Sequence, residues 1–297
     1  MNNGRHYLGI DIGGTKCAVL VGTDEGEVLA REEMATTTFE PTCEWILTQV
    51  ERLSKRYNDS LHGVGISCGG PLDTKKGVIL SPPNLPGWDA VPIVQLANKA
   101  SQLPTYLMND ANAGALAEGM HGAGRNCDNF AFLTCGTGMG SGIVCNGQIL
   151  EGTNGFAGEI GHMRLTDDGP IGYGKSGSFE GWCSGGGFAQ WAGLTAKDAA
   201  KLALQGDEAA LKAFAHFGEQ LGRGLAVLVD ILNPERILIG GIYPRAQQWI
   251  EPAMLASLER EALSPARTAC KVMPSELGER IGDFAAIAVA AYWDEKK

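Results

Sequence analysis

The sequence predicts an α/β protein of two lobes of similar build with a central cleft, and three observations carry that expectation. The chain has 297 residues, is 44% hydrophobic and is 20% charged, which is enough ordinary globular sequence for two modest cores. One pattern, strand, Gly/Thr turn, strand, short turn, strand, occurs twice, near residue 7 and again near residue 130. Glycine numbers 42, about twice its usual share, in short runs between apolar segments, as expected of loops whose backbone approaches a ligand closely.

The first copy opens with a buried strand, Tyr7-Leu8-Gly9-Ile10-Asp11, followed by the turn Ile12-Gly13-Gly14-Thr15-Lys16. Cys17–Val21 is the return strand, and Val28–Ala30 follows a second turn. Glycines leave the N–H groups of Gly13, Gly14, Thr15 and Lys16 free to face an anion, and Asp11 ends its strand where a carboxylate can hold a metal ion. The second copy runs Phe130–Thr134, then Cys135-Gly136-Thr137-Gly138-Met139-Gly140, then Ser141–Cys145. Asn146-Gly147 is a hairpin turn leading to Gln148-Ile149-Leu150. Neither turn has the G-x-x-x-x-G-K-[ST] spacing of a P-loop or clearly opens a helix as the dinucleotide fingerprint does.

Between and after the copies lie further polar groups. Thr105–Met108 reads as a strand ending in Asn109-Asp110, with a helix starting near Ala113. Ligands of open α/β sheets bind beyond such strand ends. Asp110 is there either a proton acceptor for a substrate hydroxyl or a plain helix cap. The proline-braced loop Ser81–Trp88 either presents Asn84 to a polar ligand or is a rigid surface turn. Glu159 and His162, three residues apart, share one face if their segment is helical, and with Glu180 they would make a polyol-binding set. A structural His beside glycine is the plainer reading. Helices are expected at Cys43–Tyr57, Glu208–Leu232 and Gly282–Trp293, each with an apolar stripe at helical spacing.

Net charge of −10 argues against a nucleic-acid surface, and no apolar run reaches the ~18 residues of a membrane helix. The eight cysteines show no C-x-x-C pair and fall mostly in apolar segments. They read as reduced thiols of a cytoplasmic protein, and the N-terminus leads into a strand rather than a signal sequence.

Taken together, DIGGTK (11–16), GGP (69–71), PNLPGW (83–88), NDANA (109–113), GTGMGSG (136–142), GEIGH (158–162) and ILIGG (237–241) resemble the ROK family of sugar kinases and repressors. That family is a branch of the actin-like ATPases, with a ribonuclease H-like fold in each lobe. The resemblance implies a small lobe of residues 1–113 plus 282–297 and a large lobe of 114–281. It implies that Gly13–Lys16 and Gly136-Thr137-Gly138 bind the phosphates of ATP and that Gly240-Gly241 lie near its adenosine. Asp11 would position Mg²⁺ through water, and Asp110 would be the catalytic base. Gly70, Asn84, Asn109, Asp110, Glu159, His162 and Glu180 would surround the sugar.

The family's repressors carry an added N-terminal helix-turn-helix, for which no room precedes the first glycine turn here, so the kinase branch is expected. Glucose, phosphorylated on its 6-hydroxyl, is the first-choice substrate, ahead of N-acetylglucosamine, N-acetylmannosamine and fructose. A sugar sensor without catalysis is the alternative of a different class. A homodimer is expected from the family's habit alone.

One departure stands out. Zinc-containing members carry C-x-C-G-x-x-G-C-x-E after the GH motif, and here the three cysteine positions hold Ile171, Tyr173 and Ser178. No structural zinc is expected, because these are poor zinc ligands beside thiolate. In zinc members the metal orients the His. The expectation here is that the Tyr173 or Ser178 hydroxyl orients His162 by hydrogen bonding.

Overall fold

The computed structural model describes residues 4–296, which divide into two compact units. The first, Met1–Arg125 with Glu151–Ala157 and Glu279–Lys297, holds a five-stranded sheet. Its order is Val28–Ala35, Lys16–Thr23, His6–Ile12, Leu61–Cys68, Thr105–Asn109. The first three strands are antiparallel neighbours, and the last two run parallel to His6–Ile12. The second unit, Asn126–Leu150 and Gly158–Gly278, repeats the same order and sense. There the strands are Gln148–Ile149, Met139–Cys145, Phe130–Cys135, Arg236–Gly241 and Lys271–Pro274. The repeated pattern in the sequence is therefore a repeated sheet, with a glycine turn at the same place in each.

The boundary expected near residue 113 falls inside the helix Asp110–His121. That helix packs against the closing helix Ile281–Asp294, and both belong to the first unit. The chain passes to the second unit at Arg125/Asn126, and residues 151–157 return to the first.

Local chemistry shifts several bounds. The helix expected at Cys43–Tyr57 spans Phe39–Arg56, because Pro41 falls in its first turn, where a missing N–H breaks no helical hydrogen bond. Its Ile46, Val50 and Leu53 are fully buried, as their spacing requires. The third strand extends past Ala30 to Ala35, and its alternating exposed residues include Arg31 and Glu33, a charged edge that resists further pairing. The closing helix lies directly on the first sheet. A Cβ on Gly65 would come 2.1 Å from the Ala286 carbonyl oxygen, so only glycine admits the helix at that depth.

In the second unit the 25-residue helix Glu208–Leu232 buries Phe214, Phe217, Leu221, Leu225 and Leu228. Gly224 on the same helix makes room for the fully buried Phe179, whose ring lies 2.3 Å from where its Cβ would be. All eight cysteines are free thiols, and no helix among the described residues is long and apolar enough to cross a membrane.

Candidate active site

Strand register gathers the first unit's polar residues. Ile12 pairs with Cys68, and Cys68 with Asn109, so three neighbouring strands finish at one edge. Asp11, the Gly69-Gly70 turn, Asn109 and Asp110 therefore stand together. A Cβ on Gly69 would lie 3.7 Å from Asp110 Oδ2, and one on Gly70 3.6 Å from Asn109 Nδ2. The helix starts at Asp110 rather than Ala113, because Asn109 is its N-cap, accepting from the Ala111 N–H at 3.0 Å. The capping duty that competed for Asp110 thus falls largely to its neighbour.

Asp110 Oδ1 also accepts from the Ala111 N–H, at 2.8 Å. The residue keeps accessible surface, so a ligand can reach it, while the protein packed around its carboxyl sets the dielectric. That desolvation raises its pKa, against the opposing Ala111 hydrogen bond. No Lys, Arg or His among the described residues forms an ion pair with it.

Asp11 is the most perturbed carboxylate here. Burial first, then the charges of Asp110 and Asp283, push its pKa up to about 7, against Lys16 and Arg31. Gly282, in the first turn of the closing helix, is the neighbour that permits this. A Cβ there would fall 2.4 Å from Asp11 Oδ2. A carboxylate that binds protons this readily lacks positive charge, and a hard cation would supply it. Mg²⁺ takes few protein oxygens and otherwise keeps water and phosphate, so Asp11 fits the metal that the resemblance implies. A zinc site has a different demand. Among the described residues no group of three or more His, Cys, Asp or Glu is placed to hold a metal.

The first glycine turn is closed by a Gly13 N–H to Lys16 carbonyl bond of 3.1 Å and braced by the Thr36 hydroxyl, which donates to the Gly13 carbonyl at 2.6 Å. Gly14, Thr15 and Lys16 are exposed. The Lys16 ammonium pairs with Glu33 at 2.9 Å, so binding a phosphate would require it to exchange partners. Asn84 packs against this turn, with its carbonyl oxygen 2.8 Å from where a Gly14 Cβ would be. Pro82, Leu85 and Trp88 anchor that loop inward and leave Asn84 exposed.

In the second unit, Cys135 pairs with Gly241, which brings the turn Gly136–Gly138 beside Gly240-Gly241. Gly241 has φ 75°, and a Cβ there would lie 2.0 Å from the Cys135 carbonyl oxygen. The turn is docked on a helix start that sequence reasoning passed over. The N–H groups of Gly185 and Gly186 donate to the Gly136 and Thr137 carbonyls at 2.6 and 2.9 Å. Ser184 caps that helix, Gly185–Ala192. The signal, Ser followed by three glycines, was present in the sequence.

Glu159 and His162 do not share a helical face. Only a three-residue 3₁₀ turn, Ile160–His162, forms, because Gly158 takes φ 87° and Gly161 adds a second weak helix former. Both side chains are exposed. Glu180 lies in the short helix Phe179–Cys183, capped by Ser178, and both its oxygens accept backbone N–H groups: Met139 at 3.0 Å and Tyr173 at 3.2 Å.

Neither hydroxyl donates to His162. The Ser178 hydroxyl donates to Gly172 and that of Tyr173 to Met139, both at 3.1 Å. The Tyr173 ring instead stacks on the imidazole, with centroids 3.9 Å apart and planes at 19°. Cys183 is fully buried against the Phe217 carbonyl.

A glucokinase of Halalkalibacterium halodurans is 32% identical over 306 residues, covering 94% of this chain and 92% of that protein. An N-acetylmannosamine kinase of Escherichia fergusonii is 33% identical over 250 residues, covering 82% and 85%. The crystal structure of a ROK family glucokinase from Streptomyces griseus, in complex with glucose and AMPPNP, superposes with a TM-score of 0.75 at 28% identity, covering 96% and 99%. The sequence profile of the ROK family matches residues 7–293, and with the duplicated sheet and its two glycine turns this chain belongs to the ROK family.

Proposed function

We propose that this protein is an ATP-dependent sugar kinase that transfers the γ-phosphoryl group to a hexose hydroxyl, with the 6-hydroxyl of glucose as first choice. The observation that carries the reading is Asp110: a reachable carboxylate with raised pKa, without an ion-pair partner among the described residues, at a strand end beside the Gly69-Gly70 turn. The glucokinase relatives and the glucose–AMPPNP complex support the substrate pair. N-acetylmannosamine, N-acetylglucosamine and fructose remain the competing acceptors.

In the reaction the acceptor oxygen forms a bond to the γ-phosphorus while the bond from that phosphorus to the β,γ-bridging oxygen breaks. ADP departs, and Asp110 takes the hydroxyl proton. The elevated pKa makes the carboxylate a better base than an ordinary surface Asp. Gly14 and Thr15 of the first turn, whose Gly13 N–H is spent on the Lys16 carbonyl, and the turn at 136–138 would offer N–H groups to the phosphates, with Gly240-Gly241 near the nucleoside. Asp11 would hold Mg²⁺ through water, and the ion would supply charge neutralisation to the phosphates. Asn84, Asn109, Glu159, His162 and Glu180 are the groups assigned to sugar hydroxyls. Asn109 Oδ1 is engaged as a cap, and its amide also hydrogen-bonds the Asp110 carboxylate, so a sugar hydroxyl would share Nδ2 with Asp110.

The test is a panel of glucose, mannose, fructose, N-acetylglucosamine and N-acetylmannosamine with Mg-ATP, followed by ADP release and by mass spectrometry of the sugar phosphate. Glucose is expected to give the highest kcat/KM. Sugar binding without turnover on any member would favour the sensor, and no binding at all would contradict both readings.

A further inference from the structure

Tyr173 occupies the tip of the small hairpin Ile171–Gly172 and Lys175–Ser176. Its backbone is left-handed, φ 52°, a conformation that favours glycine over an aromatic residue. Contacts to three neighbouring residues help hold it there. Its ring lies on His162, its hydroxyl donates to the Met139 carbonyl, and its N–H donates to Glu180 Oε1. The Met139 N–H then donates to Glu180 Oε2, closing a ring of hydrogen bonds among Tyr173, Met139 and Glu180. Gly161, next to the histidine, lacks a side chain where the Tyr173 ring edge passes. A Cβ there would be 2.9 Å from Tyr173 Cε2.

We propose that Tyr173 is a positioning residue for sugar recognition. It fixes the plane of the His162 imidazole by stacking and locks Glu180 to the first residue after the Gly136–Gly138 turn. The proposal rests on the sugar-kinase reading, in which those two side chains meet a hexopyranose. Stacking restricts an exposed imidazole to one plane without consuming either ring nitrogen, so both stay available to sugar hydroxyls. The hydrogen-bonded ring ties that sugar-binding pair to the backbone of the phosphate turn, so binding groups on one unit move as one body. The residue is 47% exposed, and removal of its side chain opens no core cavity.

The experiment uses the full chain with labelled histidine and the variants Tyr173→Phe, Tyr173→Asn and Gly161→Ala. Asn tolerates the left-handed backbone, so it removes the ring without adding strain. The five histidines make the NMR spectrum assignable, with His162→Gln identifying the signal. In the wild type the His162 ring protons are expected upfield under the tyrosine ring current. That displacement persists in Tyr173→Phe, disappears in Tyr173→Asn and shrinks in Gly161→Ala. In kinetics, Tyr173→Asn is expected to raise the sugar KM by about tenfold while the ATP KM stays within about twofold, and Tyr173→Phe, which keeps the stacked ring but loses the Met139 bond, gives a smaller rise. An unchanged sugar KM in Tyr173→Asn overturns the proposal, whether or not the NMR displacement is lost. Absence of wild-type turnover on every sugar contradicts the kinase reading itself, and this proposal with it.

Discussion

Asp110→Asn is expected to lower kcat by about 10³–10⁴-fold, with the fold intact and the ATP Kd within about threefold of wild type. Asparagine has the same shape, and its Oδ1 can keep the Ala111 N–H bond that Asp110 makes at 2.8 Å. Asn109 continues to cap the helix, so the strand end and helix start are undisturbed. What disappears is the proton acceptor. Residual turnover would come from positioning and from the charge placed around the phosphates, which a base deletion leaves in place. Nucleotide affinity, read by calorimetry with a non-hydrolysable analogue, separates this outcome from misfolding. A kcat within tenfold of wild type would contradict the base assignment.

Asp11→Asn is expected to move stability and function in opposite directions. Raising a carboxylate from its ordinary range to about 7 disfavours the folded state wherever the free carboxyl would be ionised. Below about pH 4 the group is protonated in folded and unfolded chains alike, and nothing is lost. As the pH rises from there to about 7, the unfolded chain releases the proton and the folded one holds it, so the ligand-free protein loses stability. Above pH 7 the loss is complete, and a rise to about 7 corresponds to up to about 4 kcal/mol. The amide removes that cost. At pH 8 the ligand-free variant should therefore unfold at higher denaturant than wild type, with the gain fading towards pH 4. Activity should fall by about 10² or more, because the carboxylate that fits Mg²⁺ is gone. A gain that grows towards acid, or none at pH 8, would contradict the environment assigned to Asp11, in which Asp110, Asp283, Lys16 and Arg31 all act on it.

Much of the fold was legible because it rests on local pattern. The two Gly/Thr hairpins announced two sheets, and their strands pair as the repeated motif required. The helix Glu208–Leu232 showed its stripe plainly. The losses have physical causes. Val28–Ala35 looked finished at Ala30 because charges follow, yet an edge strand carries charge on its open side without cost. The lobe boundary failed near 113 because unit membership is set by packing on the closing helix, which is distant in sequence.

Within the site, Asp110 stood out because strand, carboxylate and helix start are adjacent in the chain. The closeness of Gly282 to Asp11 did not, since it joins residues 271 positions apart. The stacking of Tyr173 on His162 was also missed: the residue was singled out, but for its hydroxyl. A hairpin tip in left-handed conformation turned the ring onto the imidazole and sent the hydroxyl to a backbone carbonyl.

The central claim is that Asp110 receives the proton of a sugar hydroxyl as that oxygen attacks ATP. A crystal structure of the full chain with glucose and a non-hydrolysable ATP analogue tests it most directly. The account predicts the glucose 6-hydroxyl within about 2.6–3.2 Å of an Asp110 carboxylate oxygen, facing the γ-phosphorus. Glucose bound with that hydroxyl turned away from Asp110 and held by another acid or base would contradict it.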